Sequence, residues 1–392
     1  MGEEVLIIGG GPAGTACAMN LIRDGFQPII IETETFPRYH IGESLTTAGV
    51  EALSRLGLDK PLQKLTPPRK RGVHIFSKSP KSSFYVGAGD AWQVERSRFD
   101  KMMLDEAVDR GAKLLIGTAK SVERDDDEWI VSLRSDDGDK QLRARFVIDA
   151  SGQHRFTQKQ GLFGEVIEGD YARQISIFSQ FEGVQQSETD KHDTLIFHRD
   201  KHEWVWMIPL SETVTSIGLV VPVDHFKKDK LPMEDFLEQG IAEFTEPVKQ
   251  RAHSIRRVDK VRAISNYSFS IDEYCRDGLF CVGDCHRFID PIFSFGVQFA
   301  VVEAEYACKA ITACAATNDP SEWKSKHHQY MKVTTEAQDI VQDILSYFWA
   351  HPWGFANMAH QRHPEEFLNI FAGRVFELEP GEGVKKMRAV MA

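Results

Sequence analysis

The sequence has no Cys-x-x-Cys pair, no apolar run of membrane-spanning length, no internal repeat and no excess of positive charge. Each absence removes a class of function. The six cysteines, Cys17, Cys275, Cys281, Cys285, Cys308 and Cys314, are scattered, which argues against a zinc knuckle or a disulfide framework and for reduced, mostly buried thiols. Apolar runs such as 279–282, between Asp277 and Asp284, fall far short of the roughly 20 residues of a membrane helix. Lys plus Arg number 47 against 58 Asp plus Glu, a formal net charge of −11, which repels nucleic acid and anionic lipid. Nothing at the start has the pattern of a charged leader followed by an apolar stretch. The expectation is a cytoplasmic protein with no membrane span and no nucleic-acid partner. What is present is a chain of 392 residues, 42% of them hydrophobic, enough to bury large cores in two or three domains.

The most informative segment is the first. An apolar stretch at 4–8 runs into Gly9-Gly10-Gly11-Pro12-Ala13-Gly14, an Ala/Leu-rich helix follows at 16–22, and a second strand at 28–31 ends at Glu32. This is a dinucleotide fingerprint in its proper strand-turn-helix setting. Gly9 allows the tight turn, Gly11 lets the backbone approach a pyrophosphate, and Gly14 permits close packing of helix on strand. Unpaired N–H groups at the helix start, behind Pro12 and Ala13, face the phosphates, and Glu32 accepts from ribose hydroxyls. Further on, 76–93, 176–182, 194–197, 203–210 and 214–221 alternate like half-buried strands and are read as an antiparallel sheet. Apolar runs at 145–149 and 279–282, each leading into a Gly-containing turn, extend the first parallel sheet. Charge-rich stretches at 124–128, 135–140 and 185–191 read as turns, and the pattern becomes helical from 303. The expected architecture is α/β. Segments 1–65, 94–165 and 262–318 form a discontinuous Rossmann-type nucleotide domain, 66–93 and 166–261 an inserted antiparallel-sheet substrate domain, and 319–392 a helical C-terminal region.

Later motifs choose the dinucleotide by resemblance. Residues 94–100 (Val-Glu-Arg-Ser-Arg-Phe-Asp), 147–152 (Val-Ile-Asp-Ala-Ser-Gly) and Gly283-Asp284 fall where FAD-dependent hydroxylase-like enzymes carry their cofactor motifs. The chain resembles, over most of its length, the superfamily of flavin-dependent halogenases, geranylgeranyl reductases and aromatic hydroxylases. That resemblance implies FAD, with Arg96 or Arg98 at the pyrophosphate or ribityl region and Asp284 on the ribityl chain. Residues 38–44 contain Ile-Gly-Glu-Ser, shared by halogenases and reductases and placing Glu43 and Ser44 at the cofactor; Thr46 replaces the usual Pro. Residues 203–209 (Glu-Trp-Val-Trp-Met-Ile-Pro) resemble the halogenase Gly-Trp-x-Trp-x-Ile-Pro motif, with Glu203 in place of Gly. Period-two geometry puts Trp204, Trp206 and Ile208 on one strand face, where two indoles can wall off a flavin pocket.

Lys70, in Arg69-Lys70-Arg71-Gly72, falls where phenol- and pyrrole-type halogenases have Lys-x-Gly at a strand start. The resemblance makes it the catalytic amine that captures or polarises hypohalous acid, with Arg69 and Arg71 expected to depress its pKa. Lys78 and Lys81 are less favoured candidates. Residues 290–297 resemble the halogenase Asp-Pro-x-x-Ser-Ser/Thr-Gly-Val/Ile segment, so Ser294, Phe295 and Gly296 are the expected halide site and Gly296 and Val297 cofactor contacts; Phe295 departs from the usual small hydroxylated residue and is expected to narrow the site. The 363–373 stretch and the chain length resemble compact halogenases, several of which act on carrier-protein-tethered pyrroles. The implied function is an FADH2-dependent halogenase with a separate flavin reductase. It forms hypohalous acid from a flavin hydroperoxide and chloride or bromide, then halogenates a phenol, pyrrole or indole, free or carrier-tethered. The rivals are a geranylgeranyl-reductase-like ene reductase, an aromatic monooxygenase and a flavin-binding protein without turnover.

Overall fold

The computed structural model describes residues 4–77, 83–169, 173–265, 268–317 and 319–391. Its first sheet has six strands in the order Cys275–Arg276, Leu279–Cys281, Phe146–Asp149, Glu4–Ile8, Gln27–Glu32 and Lys113–Ile116. All pairs are parallel except the first. Three of these strands, around Val5–Ile8, Ile29–Ile31 and Phe146–Ile148, are continuous apolar runs with almost no exposure, as parallel strands covered on both faces require. Register joins distant parts of the chain, with Leu6 opposite Val147 and Ile148 opposite Phe280. Helix Pro12–Arg23 packs against helix Gly296–Ala315 beside this sheet. A small antiparallel meander, Thr118–Asp125, Glu128–Ser135 and Gly138–Ala144, places turns within the charge-rich stretches 124–128 and 135–140.

The large sheet runs Arg256–Arg257, Gln174–Glu182, Val214–Pro222, Glu203–Pro209, Asp193–Asp200, Arg69–Phe76, Ser83–Trp92. It corrects the sequence reading in three places. It is not wholly antiparallel, because Asp193–Asp200 runs parallel to Arg69–Phe76. The stretch 76–93 holds the end of one strand and all of the next, Ser83–Trp92. Arg262–Ser265, expected with the nucleotide segments, pairs with Gln174–Glu182. The first and third differences are choices of nonlocal partner, on which alternation along one strand is silent.

The two faces of this sheet bury different cores. One, with Trp204, Trp206 and Ile208, packs against C-terminal residues such as Phe348, Phe355 and Phe371. The other, with Val205 and Met207, is covered by Phe236, Leu237 and Ile241 of helix Met233–Ala242. The C-terminal region is helical, led by the 28-residue helix Trp323–Ala350 and followed by Pro352–Asn357, a π turn Met358–Arg362, Pro364–Phe371 and Glu382–Met391. No helix among the described residues is long and apolar enough to cross a membrane. All six cysteines are free and buried.

Candidate active site

The glycine loop has the shape the fingerprint demands. Gly9 takes a φ of +108°, and a Cβ there would collide with the Ala150 carbonyl; a Cβ on Gly14 would run into the carbonyl oxygen of Gly9. Helix Pro12–Arg23 therefore lies directly on the turn, with Pro12 in its first turn, where no N–H bond is lost. Glu32 ends the second strand buried, accepting from the N–H of Gly10 at 2.6 Å and of Glu34 at 2.8 Å. The Gly283–Cys285 turn arrives from the far end of the chain. A Cβ on Gly283 would sit 3.4 Å from Ala13, so this turn rests against the start of helix Pro12–Arg23. Asp284 follows in it, half-buried, its carboxyl pushed up to about 7 by burial despite the opposing Arg96 charge. Tight backbone, helix start, terminal carboxylate and closing aspartate make a cradle that fits FAD.

The two candidate arginines separate. Arg96 is buried and forked onto both Asp100 oxygens at 2.7 and 2.9 Å, and donates to the Ile41 carbonyl at 2.6 Å. Arg98, two residues on and so on another side of the helix, is exposed beside Leu65, Pro67 and Leu210. The residue that sequence reasoning left unassigned is Arg38. Its guanidinium lies 3.3 Å from the Cβ position of Gly11, over the Phe36 ring at 4.6 Å and 3.4 Å from Asp100. Its one signal was position, at the head of the Ile-Gly-Glu-Ser segment.

Residues 41–46 touch two of the other candidates, Arg96 and Lys70, and reach Trp206 through Ser216. Ile41 and Gly42 offer their carbonyls to Arg96. Glu43 is buried, its Oε2 without a partner among the described residues, and burial lifts its carboxyl to about 7 while a hydrogen bond with Ser216 and the Arg96 charge pull it back. Ser216 also accepts from the Trp206 indole at 3.2 Å. Ser44 pairs with Thr194 at 2.8 Å, which Gln93 also reaches. The Leu45 carbonyl accepts from Lys70 Nζ at 2.9 Å. Thr46, in place of proline, accepts from the Gly49 N–H as a helix N-cap and donates to Gln298 at 2.5 Å.

Lys70 lies inside strand Arg69–Phe76 rather than before it, with only 2% of its surface exposed. Opposite it, strand Ser83–Trp92 is irregular between the partners of Lys70 and Gly72, the kind of break that re-aims side chains near functional sites. Its amine is pulled down to about 7 by burial, with Asp193 opposing. The expected agents are not the cause. Arg69 and Arg71 alternate outward into solvent, Arg69 toward Asp90 and the Trp92 ring, so desolvation replaces like-charge repulsion as the reason. Lys78 and Lys81 lie outside the described residues.

Trp204 and Trp206 share a face as expected, ring centroids 5.7 Å apart, with Trp206 also 5.7 Å from Phe178. Trp206 has room because its cross-strand partner is Gly218, where any Cβ would overlap the indole. Glu203 lies outside this face, held by Arg199 at 3.0 Å and His225 at 2.8 Å. At the other motif, Asp290 caps a short turn, Ser294 adopts a φ of +64°, and Gly296 opens helix Gly296–Ala315 exposed, with free space where a side chain would stand. Val297 is buried behind it. The Phe295 ring is buried and stacked on Phe299 at 5.8 Å.

This fold and cradle define an FAD-dependent oxidoreductase. A model of the FAD binding domain matches residues 3–340. The 1H-pyrrole-2-carbonyl-[peptidyl-carrier protein] brominase of Pseudoalteromonas luteoviolacea is 32% identical over 380 residues, 96% of this chain and 93% of that one. The corresponding chlorinase of Pseudomonas fluorescens is 28% identical over 431 residues, 99% and 93% of the two chains. The solved structure of the flavin-dependent brominase Bmp2 superposes with a TM-score of 0.94 at 31% identity, covering 100% of this chain and 98% of that one. The chain belongs to the flavin-dependent halogenases, within the FAD-binding domain family.

Proposed function

We propose that this halogenase acts on an electron-rich ring presented as a pyrrole-2-carbonyl group on a peptidyl carrier protein, with chloride or bromide as halogen source and Lys70 as the amine that handles the halogen. The substrate class follows the two relatives matched over nearly their whole lengths. The observation that carries the assignment of Lys70 is its position: a fully buried amine, close to half neutral at pH 7, bonded to the segment that also meets the cofactor cradle. FADH2, when bound, would supply two electrons and two protons that, with two electrons from the halide and one further proton, convert dioxygen to hypohalous acid and water.

The chain's own residues do the rest. Gly9, Gly11, Gly14, Glu32 and Asp284 would hold the dinucleotide, and Arg38 stands beside the pyrophosphate approach at Gly11. Backbone N–H groups at Phe295 and Gly296, at the positive end of a 20-residue helix, suit a halide, whereas the Ser294 N–H already donates to the Pro291 carbonyl at 2.9 Å. Lys70 takes up the electrophilic halogen as a neutral amine or polarises it as an ammonium, in a setting from which water is excluded. Trp204 and Trp206 wall the large sheet beneath the C-terminal aromatic cluster.

The test is Lys70→Ala. FAD binding and oxygen-dependent reoxidation of FADH2 are expected to persist while halogenated product disappears, and wild-type product would sink the assignment. Mass gain by one halogen identifies the reaction; loss of a double bond or gain of one oxygen would identify an ene reductase or a monooxygenase. Reduced flavin is expected from a separate reductase. Rapid stopped-flow reduction of the bound flavin by NADH or NADPH alone would count for the monooxygenase reading.

A further inference from the structure

Behind the Gly283–Cys285 turn lies a buried carboxylate that the chemistry above does not use. Glu303, on helix Gly296–Ala315, has no solvent exposure. Its Oε2 accepts from the Gly283 N–H at 2.8 Å and pairs with His286 Nε2 at 2.9 Å, and its Oε1 accepts from Gln338 Nε2 at 2.7 Å. One side chain thus joins three elements: the turn, its own helix and helix Trp323–Ala350. The His286 ring is stacked on Tyr274, centroids 3.9 Å apart and planes 11° from parallel. The turn itself is wedged, since a Cβ on Gly283 would meet Ala13 at 3.4 Å and Ala300 at 3.5 Å.

Burying a carboxylate is costly, and an apolar side chain of the same size would fill the space at less expense. The arrangement makes sense where the direction of the donors matters. Gly283 and His286 are the two residues flanking Asp284-Cys285, so Glu303 grips the turn on both sides of its cofactor-facing carboxyl.

We propose that Glu303 is a positioning residue of the cofactor site, acting through Gly283 and His286 to hold Asp284 where the dinucleotide needs it. The inference rests on Asp284 being a cofactor contact; it does not depend on which ring is halogenated. A brace that served folding alone would affect the stability of the protein and leave its affinity for FAD unlinked to Asp284.

A double-mutant cycle separates these. FAD affinity of the full chain, stripped of flavin and titrated with FAD by fluorescence quenching below the unfolding range, is measured for Asp284→Ala, Glu303→Leu and the pair. Glu303→Leu is expected to weaken FAD at least tenfold in the wild-type background and less than threefold when Asp284 is already alanine, because the brace then has nothing to hold. Should Glu303→Leu not fold, Glu303→Asp, which keeps the charge but shortens its reach, is expected to weaken FAD at least threefold in the wild type and to have no effect beside Asp284→Ala. Affinity within twofold of wild type, or the same loss in both backgrounds, would overturn the inference. If Asp284→Ala alone leaves FAD affinity unchanged, the assignment of Asp284 falls first and the role of Glu303 with it.

Discussion

Replacing Lys70 by methionine tests the neutral-amine argument without any turnover. Burial brings the Lys70 amine from 10.5 to about 7, so the fold disfavours its charged form by roughly 5 kcal/mol. The unfolded chain binds that proton more readily throughout pH 7 to 10.5, so wild-type stability rises with pH across this window. Between pH 7.5 and 9.5 the rise is about 2.5 kcal/mol. Asp193, the opposing charge, titrates near 6 and is ionised throughout. Methionine has similar length, does not titrate and lacks only the bond to Leu45. The assay is urea unfolding of both proteins at pH 7.5 and 9.5, followed by tryptophan fluorescence, with other titrations cancelling in the difference. Wild type is expected to gain about 2.5 kcal/mol on the variant between the two pH values. A gap constant to about 0.5 kcal/mol would mean that Lys70 titrates as an ordinary solvated lysine, and the neutral amine at pH 7 would be lost as an argument for catalysis.

Gly11→Val is expected to fold with near wild-type stability, since its nearest neighbour is the movable end of Arg38, yet to lose FAD affinity at least 100-fold; retained affinity in a titration would misplace the pyrophosphate. Gly14→Ala meets the Gly9 backbone instead and is expected to cost about 3 kcal/mol of stability in urea unfolding. Gly218→Ala drives a methyl into the Trp206 indole and is expected to cost about 1–3 kcal/mol and shift tryptophan emission. Glu43, lifted from 4.5 to about 7, favours the flavin-free fold at low pH and loses that advantage as pH rises to 7. Glu43→Gln is therefore expected to gain up to about 3 kcal/mol on wild type at pH 8 and nothing at pH 4.5, both read by urea unfolding.

What was legible in the sequence is what short spacing determines. The glycine loop and its helix need only consecutive residues, Glu32 needs only the length of the next strand, and the tryptophan face needs only the two-residue period. The partner of each strand was not legible: Asp193–Asp200 running parallel to Arg69–Phe76 depends on contacts more than 100 residues apart. Lys70 shows the limit most clearly. Its flanking arginines were visible, but whether a strand residue is solvated depends on what covers it, here the segment ending at Leu45. Arg38, Gly218 and Glu303 were missed for the same reason. An unassigned glycine in a strand, at position 218, was a readable hint of a large neighbour, whereas a glutamate inside a helix carries no mark of burial.

The parallel sheet beside the glycine loop takes its strands in an order that follows space, and Leu279–Cys281 joins next to Phe146–Asp149. On a translating ribosome, the first strand emerges with its fingerprint complete, yet its sheet stays unfinished until residue 281 has been made. At about 5–20 residues per second, that interval is about 15–55 s. For the part of it after Asp149, about 7–26 s at the same rate, the Ile148 edge is an unpaired strand of buried, apolar character, the sort of surface that attracts neighbouring chains. FAD can meet Asp284 only after this, so cofactor loading belongs to the end of synthesis, and expression yield is expected to depend on how well the nascent edge is shielded during that interval.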